Sequence, residues 1–314
     1  MLHPPVRPVS EHFNYQPLAD GVWAAIVKSS GLAASNSGII ALGDRTIIFD
    51  STFSPASALD LLAVAKPWSQ NTALTVVNSH WHNDHVFGNS VFNPEIGIYS
   101  TEQTHVLMAE KTEKEISEFK AHWPAQQAKW AERSRNARDE AERKDYAEGV
   151  QFAQSIIDTF PQLSLRLPSH TFTDRVEFKG SLRTAELITF GGGHTASDAI
   201  LYLPAERIVF MGDLLVTKHH PDLTDGNPHT WLDILEKVKT LEPVRLIPGH
   251  GKPGTVKDIT TLQRYIKDLL NIAEHERITG KRVDASQPPA YTARWDNAEA
   301  YEKNLEFVRG LHQL

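Results

Sequence analysis

Ser79-His80-Trp81-His82-Asn83-Asp84-His85 is the stretch that decides the reading of this chain. His80, His82, Asp84 and His85 can all bind a metal, and they stand within six residues. An apolar run, 74–78, precedes them and reads as a buried strand. Extended backbone puts residues two apart on one face, so His80 and His82 can share one ion while Trp81 turns to the opposite, core side. Asp84 and His85 follow where the chain must turn, within reach of a second ion beside the first. Imidazole suits zinc, iron, cobalt and nickel, and the carboxylate adds a harder donor.

Three later segments extend the set. Phe190-Gly191-Gly192-Gly193-His194 places a histidine after a glycine run at the end of a strand. Met211-Gly212-Asp213 and Pro248-Gly249-His250 place an aspartate and a histidine at two more strand ends. A strand-end histidine or aspartate is more often a turn or cap residue, so each segment is weak alone. Their order along the chain carries the weight.

Composition narrows the chemistry. The 314 residues contain no cysteine, which excludes disulfides, iron–sulfur clusters, thiolate metal ligands and cysteine nucleophiles. The charge of −7 argues against nucleic-acid or anionic-membrane partners, and no apolar run approaches a bilayer span. Fifteen histidines are the unusual feature. A transition-metal site here must be built from imidazole and carboxylate. The start, Met1-Leu2-His3-Pro4-Pro5, lacks the basic and apolar regions of a leader, so we expect a cytoplasmic protein. A secreted chain trimmed of its leader would read the same way.

Around the motifs, 22–27, 38–42 and 46–50 read as strands, and Ser54-Pro55 opens a helix to about Trp68. From Thr101 to Phe160 the pattern becomes helical. Pro124 predicts a break and Gly149 a second one, giving a helical hairpin. This insertion reads either as a solvated, charge-laced segment or as a lid or homo-oligomer contact anchored by Trp123 and Trp130. Strands return at 173–178, 182–190, 199–203, 208–211 and 244–247, and helices at 230–241, 256–278 and 297–311. The expected organisation is one domain, 1–314, with a helical insertion at 101–160 and a helical extension at 255–314.

The ordered set His80-x-His82-x-Asp84-His85, His194, Asp213 and His250 resembles the metallo-β-lactamase-fold hydrolases over residues 20–255. The resemblance implies an α/β, four-layer αββα sandwich and a dinuclear site, most simply two Zn2+, with iron or manganese suited to the same donors. His80, His82 and His194 would hold one ion, and Asp84, His85 and His250 the other. Asp213 would bridge them, and Asp50 would fix the histidine loop by hydrogen bonds. The implied reaction is attack of a metal-bridging hydroxide on the carbonyl of a small ester, lactone or thioester, with Asp84 also moving a proton. Aspartate at 213 is similar to the glyoxalase II and lactonase branch, not to lactamases with a cysteine ligand there. β-Lactam hydrolysis and a mononuclear iron sulfur-dioxygenase are the alternatives, with a non-enzymatic binding module behind them.

For contacts to a small-molecule substrate, the loop Lys218-His219-His220 and the run Asp225-Gly226-Asn227-Pro228-His229 lie close after Asp213. His220, His229 and Asn36 are the candidate contacts and Trp231 the candidate pocket wall. The competing reading is a solvated loop followed by a helix-packing tryptophan.

Overall fold

The computed structural model describes residues 8–67, 73–284 and 287–311. Met1 to Pro5 and the expected helix end at Trp68 lie outside them. Among the described residues the chain forms two sheets. The first contains β1 (Phe13–Ala19), β2 (Val22–Val27), β3 (Ser37–Ala41), β4 (Arg45–Phe49), β5 (Ala73–Val77), β6 (Gly97–Thr101) and β7 (His170–Phe172), in that spatial order. The second contains β8 (Arg175–Lys179), β9 (Thr184–Gly191), β10 (Asp198–Leu203), β11 (Ile208–Val216) and β12 (Arg245–His250), ordered β12-β11-β10-β9-β8. The helices are α1 (Pro55–Ala65), α2 (Asn83–Val86), α3 (Glu102–Arg135), α4 (Glu140–Ile157), α5 (Pro228–Thr240), α6 (Val256–Thr279) and α7 (Ala300–Leu311). No described helix is long and apolar enough to cross a membrane.

Strand alternation builds the layers. Ile47 and Phe49 of β4 point between the sheets, where they meet Leu201, Phe210 and Ile247 of the second sheet. Ile48 points the other way, onto Ala58 and Leu61 of α1. In β11, Phe210 faces the first sheet while Val209 and Met211 face Trp231 of α5, Leu262 of α6 and Val308 of α7. Two sheets, each buried on both faces, therefore require helices outside both, which is the expected αββα sandwich.

The topology gathers the site. β4 and β5 run parallel, as do β11 and β12, and β9 shares the direction of β11 through the antiparallel β10. The C-terminal ends of these strands carry Asp50, the histidine loop, the glycine run and His250 to one edge.

Three local expectations need correction. β5 stops at Val77, so His80 and His82 sit in a bend ahead of α2, not in extended strand. Asp213 lies inside β11, not at its end. Register shifts on both sides of Gly212, which has φ +50°, swing the strand locally so that Asp213 leaves the ladder pattern. In the insertion, α3 runs unbroken through Pro124, and the hairpin turns at 136–139. Pro124 is exposed, and Trp123 beside it packs on Phe119, Trp130 and Phe152 at 5.8–6.4 Å between ring centres. Packing on both sides of the proline outweighs the lost helix hydrogen bond. Helix α4 likewise continues through Gly149, where a side chain would press on the Trp130 ring.

Candidate metal centre

The loop after β5 is held from below by Asp50. This residue is fully buried at φ +62°, a conformation that aspartate tolerates better than most residues. One carboxylate oxygen accepts the Ser79 N–H at 2.7 Å. The other accepts the Ser79 hydroxyl and the His85 Nδ1–H, both at 2.8 Å. The Ser79 oxygen in turn lies 2.9 Å from His80 Nδ1. Burial pushes the Asp50 carboxyl above its usual range, against the pull of the His85 ring.

With their Nδ1 atoms so engaged, His80 and His85 both direct Nε2 inward. Each Nε2 is buried without a hydrogen-bond partner, as is Oδ1 of Asp213. His82 is arranged the other way: its Nε2 is 3.1 Å from Asp225 Oδ2, which leaves Nδ1 for an ion. His194 follows the glycine run, whose turn is fixed by Asp198. That carboxylate accepts the Gly193 and Thr195 N–H groups and the Thr195 hydroxyl. His194 Nδ1 faces Asp198 at 3.7 Å, and its Nε2 faces Asp213 at 3.8 Å. His250 Nε2 lies 3.2 Å from both Asp84 and Asp213. Gly249 must be glycine because a Cβ there would run into the Asp213 carboxylate.

The result is two groups of donors. His80, His82, His194 and Asp213 form one, and Asp84, His85 and His250 the other, with ligand atoms inside each group within 4.8 Å of one another. Asp213 also reaches the second group, with Oδ1 3.3 Å from His85 Nε2 and Oδ2 at His250. Imidazole nitrogens and carboxylate oxygens converging on two points, several of them buried without a hydrogen bond, fit divalent cations. The protonation tendencies follow from the same crowding. Burial and the neighbouring rings push His80 well below the usual range. Burial opposes charge on His85, Asp84 and Asp213 as well, yet their mutual attraction prevails. It holds His85 well above the imidazole range and the two carboxylates well below theirs.

A cavity of about 610 Å³ opens over these groups. His220 borders it, buried, with Nδ1 3.2 Å from the Tyr265 hydroxyl. The structure places the three other expected contacts outside the cavity lining. Trp231 is fully buried and donates to the Leu214 carbonyl, so it backs His194 at 5.4 Å between ring centres and is not a wall open to substrate. Asn36 is buried too, and its amide donates to the Pro248 and Gly251 carbonyls, which fixes the His250 turn. His229 lies on α5, bordering a separate hollow with Lys267 and Leu270.

Several residues around the centre escape sequence reasoning. Asp225 holds His82, and Lys111 of α3 stands 3.9 Å from Asp225 and 4.0 Å over the Trp81 ring. His219 stacks on His250 at 5.0 Å, and burial lowers its pKa to about 4. Glu115 of α3 borders the cavity, and burial pushes it up to about 7. Met108 and Ile116 seat α3 on Trp81, Val86 and Phe87 beside the histidine loop. Asp225 sits in a run already notable for its Asp and His content. Glu115 carries no local signal, being one glutamate among many on a helix.

Comparison with known proteins agrees with this geometry. Residues 30–250 match the metallo-beta-lactamase superfamily. A metallo-beta-lactamase type 2 from Bacteroides fragilis is 29% identical over 123 residues, 38% of this chain and 48% of that protein. A beta-lactamase-like protein 2 homolog from Caenorhabditis elegans is 32% identical over 99 residues, 29% of this chain and 32% of that protein. The matches thus span about half and about a third of these curated relatives. Among solved structures, a metallo-beta-lactamase from Pontibacter korlensis shares the fold with a TM-score of 0.58 at 18% identity, covering 82% of this chain and 99% of that one. One from Hirschia baltica gives 0.56 at 18% identity, covering 82% and 98%. With the family matched over most of its length and the histidine–aspartate cluster at the expected edge, this chain belongs to the metallo-beta-lactamase superfamily of metal-dependent hydrolases.

Proposed function

We propose that the protein is a dinuclear hydrolase, most simply with two zinc ions, that cleaves a small ester, lactone or thioester. The observation that carries this reading is Asp213, whose two oxygens face His85 on one side and His194 and His250 on the other. In this reading His80, His82 and His194 hold one ion, Asp84, His85 and His250 the other, and Asp213 both. Bound there, the ions supply a water that ionises near neutral pH and a Lewis acid for the substrate oxygen.

The chain's own residues do the rest. Asp50 and Asp225 fix the ring orientations of His85 and His82, so their free nitrogens stay aimed inward. Asp84 borders the cavity and is partly open to it, so its carboxylate can take up a proton and return it to the leaving group. Aspartate at 213 supports the glyoxalase II and lactonase-like branch. β-Lactam hydrolysis is the second reading, favoured by the name of the Bacteroides fragilis relative.

The test is metal analysis of purified protein, followed by a metal-reconstituted screen over lactones, thioesters, aryl esters, phosphotriesters and β-lactams. Two ions per chain with turnover of a carboxylic ester class is the expected result. One iron per chain with oxygen consumption would overturn the reading in favour of a sulfur-dioxygenase.

A further inference from the structure

The walls of the cavity are one-sided in charge. Its described lining includes the carboxylates of Asp84, Asp213, Glu115, Asp222 and Glu299, and neither lysine nor arginine. Asp84 and Asp213 are engaged by the imidazoles. The nearby ammonium groups are also committed. Lys303 pairs with Asp222 at 2.7 Å, and Lys111 lies on the Trp81 ring, 3.9 Å from Asp225, with its charge also felt by Glu115 but too weakly to offset burial. Glu299 stands exposed at the rim. Glu115 projects from α3, and its Oε2 is buried with no hydrogen-bond partner.

Resting on the hydrolase reading above, we propose that the cavity selects substrates whose body, away from the scissile carbonyl, is cationic or uncharged, with Glu115 receiving the cationic group. A buried carboxylate oxygen without a donor is costly, and a bound ammonium or N–H group recovers that cost. An anionic body meets the opposite situation. It finds no lysine or arginine in the lining to pair with, and its charge further disfavours ionisation of Glu115, which burial already pushes up to about 7. The ions attract the substrate oxygen at the reacting centre, and this selection concerns the part of the molecule beyond it. A β-lactam bearing a ring carboxylate falls on the disfavoured side, as does a thioester of an acidic peptide.

Three esters of one acyl group test this: the choline ester, its uncharged 3,3-dimethylbutyl isostere, and an analogue with a carboxylate in the same place. The expected order of kcat/KM is cation, then neutral, then anion, with about tenfold between the ends, the size of one partly buried charge contact. Glu115→Gln should bring the cation-to-neutral ratio down to about one, chiefly through KM. A ratio within one protein cancels any general loss of folding or metal. Calorimetric titration of metal-loaded protein with the corresponding non-hydrolysable ethers gives the same comparison without turnover. If none of these three esters is cleaved, the hydrolase reading is left to the wider screen above, and the ethers decide the charge selection by themselves. Preference for the anion, or an unchanged ratio in Glu115→Gln, overturns the proposal.

Discussion

Asp50→Asn replaces one oxygen of a carboxylate by an NH2 and leaves the shape untouched. Both oxygens of Asp50 act as acceptors: one for the Ser79 N–H, the other for the Ser79 hydroxyl and the His85 Nδ1–H. An amide has a single acceptor oxygen. If it faces His85, the NH2 opposes the Ser79 N–H, and if it faces Ser79 N, the NH2 opposes His85 Nδ1–H. The second arrangement drives His85 towards the Nε2–H tautomer, which cannot ligate. Either way one charge-assisted hydrogen bond is lost, about 1.5–3 kcal/mol. Expressed in the metal-bound state, that is roughly 10–100-fold in affinity, the usual scale for a residue supporting a ligand histidine. Asparagine also tolerates the φ of +62°, so the backbone adds no strain. The same contacts hold the loop without metal, so part of the loss falls on the metal-free fold. Chelator competition for zinc, together with urea unfolding of metal-free protein, measures both quantities. Affinity within twofold of the original in Asp50→Asn would refute the reasoning.

Further outcomes follow from single contacts. Asp213→Ala should lower the occupancy of both ions, because its oxygens reach both donor groups; metal analysis showing two retained ions would contradict this. Gly249→Ala should cost metal and stability together, because a Cβ there collides with the Asp213 carboxylate; an unchanged Tm and metal content would count against the crowding. Asp222 gives a pH signature. Burial would raise its pKa, but Lys303 and Thr224 hold it to about 2. A depressed carboxylate contributes stability above its unfolded value of about 3.9, lost as pH falls through the folded value. The nearly two-unit shift, discounted for a side chain 38% exposed, is worth about 1 kcal/mol. Urea unfolding of Asp222→Asn should therefore show a gap of that size at pH 6 that narrows below pH 4. A constant gap would show that Lys303 is not its source.

Legibility in the sequence followed the range of the interaction. The seven metal-capable residues could be picked out because short motifs in or just after strands hold them, and such motifs are local. β4, β9, β10 and the long α6 were readable for the same reason, each having its own periodicity and turn signals. β1 was not: its alternation contains polar residues and Pro17, and it becomes a strand by pairing with β2 at the sheet edge. The uninterrupted α3 was hidden because Pro124 is a true local breaker, outweighed by packing on α4, where Phe152 meets Trp123 and Gly149 lies against Trp130, that no window along the chain reveals. Asn36 and Trp231 looked like contact residues because polar or large side chains near a motif invite that reading. Their partners, the Pro248 and Leu214 carbonyls, are 212 and 17 residues away.

In the proposal above, the parts of the chain that would select substrate differ from those that would hold metal. The family match ends at 250, and the metal-capable groups lie within it. The cavity draws on more: Glu115 comes from α3, inside the match, and Asn297 and Glu299 from the segment before α7, beyond it. That segment is tied to the loop after β11: Asn297 donates to the His220 carbonyl, Asp296 accepts from His220 N and donates to Lys218, and Asn304 holds Leu223 and Pro221. Lys218 is itself held at φ +52°, so the loop's shape depends on these clamps. A relative can therefore share the donors and still present a different wall to the substrate. Likeness over the metal-binding core carries chemistry from one member to another, while specificity must be read from the helices each member adds. Here those additions bring carboxylates and no described lysine or arginine to the lining, which is why the charge of the substrate body, more than the kind of acyl bond, is the sharper question to put to this protein.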